Sequence, residues 1–91
     1  MNLDKADRKT IGEDLQTVEY GWPIGMPLCK PLGSGLWEVR SNISDGRIAR
    51  VIWFAHNEKM VLLHAFIKKT QQTPLQDKRL AAGRKRSVEN G

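Results

Sequence analysis

One cysteine, Cys29, stands in the whole chain, so no disulfide can form within it, and a reducing cytoplasm is the expected home. Histidine is almost as scarce, with His56 and His64 alone and in no recognised ligand spacing, which leaves metal chemistry without support; neither a metal nor a cofactor is expected. No apolar run approaches the roughly 20 residues of a membrane helix, and the charged start (Asp4, Lys5) has none of the character of a secretory signal. Gly33-Ser34-Gly35 precedes a strand pattern and does not open a helix, so a glycine-rich phosphate cradle is not indicated. Nor does any Ser/His/Asp signature appear. What the chain does carry is positive charge: 15 Lys and Arg against 10 acidic residues, a net +5 over 91 residues. That length suits one domain, residues 1–91, and the charge points to an anionic partner.

From Asp4 to about Tyr20, Ile11, Leu15 and Val18 recur at helical spacing, with Asp4 placed to cap the N-terminus and Gly21-Trp22-Pro23 to end the helix. The stretch through Pro27, Pro31, Gly33 and Gly35 reads as loop. Leu36 to Arg40 then alternates, with Trp37 and Val39 on one face and Glu38 and Arg40 on the other. An Asp45-Gly46 turn leads to a second strand, Ile48 to about Ala55, and His56-Asn57-Glu58 turns the chain into a third, Met60 to about Lys68. Three strands in a meander need a helix against them. Thr73-Pro74-Leu75-Gln76 marks a second helix start, and the basic stretch from about residue 83, interrupted by Gly83, reads as a frayed end. The expected fold class is α+β, a small antiparallel sheet packed against an N-terminal helix and followed by a C-terminal one.

Cations inside strands are the informative feature, since a strand interior suits a charge only where its face is solvated or used. Arg40 and Arg50 meet this description. On adjacent strands their planar forks would suit a phosphate, in its ground state or with the added charge of a pentacoordinate transition state. The plainer reading is that Arg40 pairs with Glu38. In the third strand, Leu63, Ala65 and Ile67 form the expected core phase, while Leu62, His64, Phe66 and Lys68 fall in the other phase. That second set offers a proton-transfer group, a stacking platform for a base and a phosphate contact. Ordinary packing is the alternative for His64 and Phe66. Arg84, Lys85 and Arg86 would track phosphates by sequence-independent attraction, or simply be a solvated end.

Three fragments, Gly35-Leu36-Trp37-Glu38-Val39-Arg40-Ser41, Ala49-Arg50-Val51, and Leu62 to Gln71 followed by Thr73-Pro74, come in order with hairpin-length gaps. Together they resemble the phage-derived HigB-like branch of the RelE/HigB toxin superfamily, from about Leu3 onward. The resemblance implies a toxin of a toxin-antitoxin system: an endoribonuclease that cleaves mRNA in the ribosomal decoding site. Attack by the ribose 2′-hydroxyl, without metal, leaves a cyclic phosphate. It implies neutralisation by a cognate antitoxin that often carries a helix-turn-helix. Arg40, Arg50, His64 and Lys68 match catalytic positions, while Phe66, Lys69, Gln71 and the Arg84, Lys85, Arg86 cluster are expected to contact RNA. Family members begin with a strand before the first helix, and this chain begins almost at the helix. The missing strand is expected to leave an exposed sheet edge, and with it a homodimer or a partner that completes the sheet. A non-catalytic homologue that binds an antitoxin or nucleic acid is the competing reading.

Overall fold

The computed structural model describes residues 3–21, 29–68 and 74–91. Helix α1 (Lys5–Gly21) is followed by strands β1 (Cys29–Gly33), β2 (Leu36–Asn42), β3 (Ile48–His56) and β4 (Lys59–Lys68), and by helix α2 (Leu75–Asn90). The strands form one antiparallel sheet in the order β1-β2-β3-β4. This is the expected α+β architecture with one strand more than the alternation revealed.

Helix α1 starts where expected, because Asp4 Oδ1 accepts from the Asp7 amide at 2.8 Å and so satisfies one of the first-turn donors. Its apolar stripe covers one face of the sheet. There Val18 packs with Val39 and Trp53, and Ile11 packs with Ile43, Ala49 and Val51. Trp37 and Trp53, paired across β2 and β3, stack with centroids 6.1 Å apart. Asp7 then ties the helix to the β2–β3 turn, accepting from Ser44 N at 3.0 Å and Ser44 Oγ at 2.7 Å, with Arg47 NH2 at 3.0 Å. These bonds to Ser44, more than the charge of Arg47, hold the Asp7 carboxyl below the usual aspartate range against the opposing effect of burial.

The turns obey local chemistry. Asp45 and Gly46 both take positive φ, as do Asn57 and Glu58, which by themselves join β3 to β4 in a two-residue hairpin. Strand β1 falls where a loop was expected. Pro31 argues against a central strand, but β1 lies at the sheet edge, where a missing amide costs no ladder bond. Its hairpin turns through Gly33, Ser34 and Gly35, all at positive φ.

Helix α2 covers part of the opposite face, with Ala81 buried against Leu36, Ile52, Phe54 and Leu63. Pro74 flanks its first turn in extended conformation, and Thr73 lies outside the described residues. A frayed end from about residue 83 does not appear: the helix runs through Gly83 to Asn90. Lys85 packs its ammonium 5.4 Å from the Phe54 ring centroid and pairs with Glu89 at 3.2 Å, anchoring the turn that Gly83 would otherwise weaken.

The phase expected for β4 also breaks. Ile52 pairs with His64 but Trp53 pairs with Leu62, so Leu63 is an extra, bulged residue. The bulge turns Leu63 into the cluster beneath α2 and leaves Leu62 opposite Trp53, on the α1 side. Ala65, expected in the core, is exposed.

Candidate functional site: two arginines on the half-covered sheet face

The face beneath α2 changes character along its strands. Leu36, Ile52 and Phe54 are apolar and packed; Glu38, Arg40 and Arg50 follow in the same alternation phase. The register puts Arg40 directly opposite Arg50 and Glu38 opposite Ile52. The expected juxtaposition of the two arginines is therefore present.

Their environments differ. Arg40 Nε donates to Glu38 Oε1 at 2.8 Å, and its side chain is 28% exposed, so the plainer expectation for Arg40 also holds. Arg50 is 0% exposed, where an open face was expected, and Glu38 is buried as deeply. None of the three guanidinium nitrogens of Arg50 has a hydrogen-bond partner among the described residues. Burial lowers the pKa of Arg50, Glu38 opposes that shift, and Arg40 adds to it. A guanidinium remains charged under such shifts. One carboxylate thus faces two fixed cations, and the buried nitrogens of Arg50 are donors without a hydrogen-bond partner among the described residues.

His64 and Phe66 continue the phase on β4, with Phe66 opposite Arg50. Their rings stack with centroids 5.5 Å apart, and Phe66 packs on the apolar cluster under α2. His64 is not on an open face. Its side chain is only 15% exposed, Nε2 lies 2.7 Å from Asp77 Oδ1, and Nδ1 lies 3.3 Å from Arg84 NH1. Arg84 can only donate, so this arrangement fits a neutral ring that donates from Nε2 and accepts at Nδ1. Arg84 NH1 also donates to the Leu63 carbonyl at 2.8 Å. His64 and Arg84 therefore work as a clasp between β4 and α2.

Lys68 closes β4 at the register position of Ile48; Lys69 and Gln71 lie outside the described residues. Of the three basic residues in α2 expected to contact RNA, Arg84 and Lys85 are engaged with the fold and Arg86 is exposed. The structure thus brings Arg40, Arg50, Phe66 and His64 to one sheet face, and separates the α2 cations by role. Sequence reasoning missed Asp77, whose only signal is an acidic residue in the first turn of α2, and it treated Glu38 only as a partner for Arg40. Among the described residues, no group of three His, Cys, Asp or Glu side chains is placed to hold a metal ion. No described helix is long and apolar enough to cross a membrane.

A two-helix, four-stranded α+β domain with paired arginines on a half-covered sheet face defines the structural class. Residues 1–86 match the phage-derived Gp49-like protein family (DUF891), and the chain belongs to that family. No curated protein and no solved structure matches it.

Proposed function

We propose that this chain is the toxin component of a toxin-antitoxin system, of RelE/HigB type, and acts in the cytoplasm as an endoribonuclease on ribosome-bound mRNA. Membership of a phage-derived family and the order of its three sequence fragments support the reading. The observation that carries it is Arg50: buried, charged, opposite a second arginine, and with three donor nitrogens that have no hydrogen-bond partner among the described residues. A buried unmatched donor costs roughly 1–3 kcal/mol, and more when charged, so an anion that accepts its hydrogen bonds recovers a large term.

In the proposed reaction the ribose 2′-hydroxyl loses its proton to a base and attacks the adjacent phosphorus. The P–O5′ bond breaks, the leaving 5′-oxygen takes a proton, and a 2′,3′-cyclic phosphate remains. Arg40, the outward member of the pair, meets the phosphate first; Arg50 adds donors as charge builds on the equatorial oxygens. Lys68, at the end of β4, and Lys69, by the resemblance, supply further positive charge. Phe66 offers a ring to a base, though it also packs. Proton transfer by His64 requires the Asp77 or Arg84 contact to open. The protein partner is a cognate antitoxin, expected to carry a helix-turn-helix.

The burial of Arg50 also favours a second reading, a binding homologue without catalysis, because a substrate phosphate reaches Arg50 only if its cover moves. Translating ribosomes incubated with the purified protein discriminate the two. Cyclic-phosphate ends on mRNA, lost on Arg50→Ala and on Arg40→Ala, are expected from the toxin. Ribosome or antitoxin binding without new ends would establish the binder and sink the catalytic assignment.

A further inference from the structure

Helix α1 packs chiefly over β2, and although Met60 and Ile67 of β4 join its clusters, Leu62 and Ala65 between them stay exposed. A groove of about 470 Å³ lies there. Its lining includes the apolar Ile11, Leu15, Leu62 and Ala65, with the arginines Arg8 and Arg84 among them. Leu62 is 53% exposed, a large apolar side chain left uncovered inside a concavity. The lining also takes in Leu62 to Ala65 of β4, an edge strand ten residues long and paired with β3 alone among the described residues. Apart from the bulge at Leu63, whose carbonyl accepts from Arg84 NH1, this edge beside an apolar groove is a template for another strand.

We propose that this groove docks an extended segment of a partner protein, apolar on one alternation phase and acidic at its ends, which adds a fifth strand beside β4. Backbone pairing to β4 would supply affinity, and Leu62, Leu15 and Ile11 would receive every second side chain. The choice of occupant rests on charge. A second copy of this chain brings another net +5 to the contact. In a fully overlapped antiparallel register it also sets Lys59 of each copy against Lys68 of the other, and like charges directly opposite each other destabilise a strand pair. Arg8 and Arg84 would likewise face their own counterparts. An acid-ended segment meets Lys59, Arg8 and Arg84 with opposite charge. The proposal is independent of RNA cleavage, and its test contains no RNA.

The probe is a synthetic peptide, Asp-Asp-Val-Thr-Val-Thr-Val-Asp-Asp, beside a second peptide with lysine in place of every aspartate. Fluorescence polarisation at low salt and amide hydrogen exchange over residues 60–67 are read on the full chain. The acidic peptide is expected to bind at least about tenfold more tightly than the basic one, a difference of roughly 1.4 kcal/mol, and to slow exchange along β4. Leu62→Glu should weaken it by a similar factor with unchanged circular dichroism and melting, since Leu62 is exposed. Leu62→Met, which keeps the apolar lining, should bind as the parent does. Equal binding of both peptides, binding without slowed exchange in β4, or no binding would overturn the proposal. A parent chain that light scattering shows to be a dimer through β4 would also overturn it, by giving the groove to a second copy.

Discussion

The two faces of the sheet are built to different ends. Under α1, Val18, Val39, Val51 and Trp53 are all apolar and buried, and the one buried charge there among the described residues, Asp7, is surrounded by donors. Under α2 the apolar packing stops after Ile52 and Leu36, and Glu38 and Arg50 are buried in its place. Apolar burial stabilises in proportion to area, whereas a buried ion pair often does no better than apolar residues of similar volume. The first face therefore holds the fold together. The second retains charged groups that stability alone does not call for, which is the pattern of a face kept for binding or chemistry.

The largest way to test the contrast is at Trp53, which packs with Val18 and Val39 and stacks on Trp37. Trp53→Ala is expected to lower unfolding free energy by about 3–5 kcal/mol, measured by urea denaturation. A loss below about 1 kcal/mol would show that the α1 face is not the principal core.

Acid provides a second test of the same face. Because the Asp7 carboxyl titrates below its ordinary value in the folded chain, its contribution is complete above the ordinary aspartate range and is lost as pH falls through the depressed folded value. Asp7→Ala should melt lower than the parent at neutral pH, and the gap should close as the pH falls below about 4. A gap that stays constant into acid would mean that shape, not charge, holds α1 to the β2–β3 turn.

How much of this was legible in the sequence depended on whether the signal was local. The α1 stripe, the Asp4 cap, the Asp45-Gly46 turn and the opposed phases of Val39 and Arg40 all come from spacing and turn chemistry, and the structure has them. Strand β1 was hidden because Pro31 is a strong local signal against a strand and edge position is a property of the whole sheet. The bulge at Leu63 was hidden for a related reason: alternation assumes an unbroken ladder, and only pairing with β3 shows the extra residue. At the candidate site, adjacent strands made a meeting of Arg40 with Arg50 possible, and the register that the sequence does not fix sets them directly opposite. The burial of Arg50 was not legible, because charge in a strand reads as exposure. Asp77 and Arg84 reach His64 from a helix that sequence pattern alone does not orient, so their clasp had no signal.

A smaller effect is expected from the exposed side of α2. Arg79, Arg84 and Arg86 are exposed, but Arg84 is bonded to Leu63 and Lys85 is packed on Phe54. If α2 tracks phosphates, Arg79→Ala with Arg86→Ala should reduce the slope of log affinity for ribosomes against log salt by about one per lost contact, without altering the melting temperature. An unchanged slope would assign that side of α2 to solvent. Arg84→Ala, by contrast, should register mainly in stability.

The smallest expected change, and the most direct on the difference between the faces, is the stability of Arg50→Met. Methionine fills most of the arginine volume with flexible apolar atoms and removes three nitrogens that lack hydrogen-bond partners among the described residues. Glu38 keeps its bond to Arg40 at 2.8 Å, so the substitution does not strand a buried carboxylate. Removing an unmatched buried charge while keeping the space filled should leave unfolding free energy within about 1 kcal/mol of the parent, or raise it. The same variant should lose the cleavage proposed for the parent, since methionine offers a phosphate no donor. Stability that holds while activity disappears would establish that the charged half of the α2 face is kept for its work on an anion. A loss of about 3–5 kcal/mol would instead mean that Glu38 depends on Arg50, and that the buried charges are part of what keeps the sheet folded.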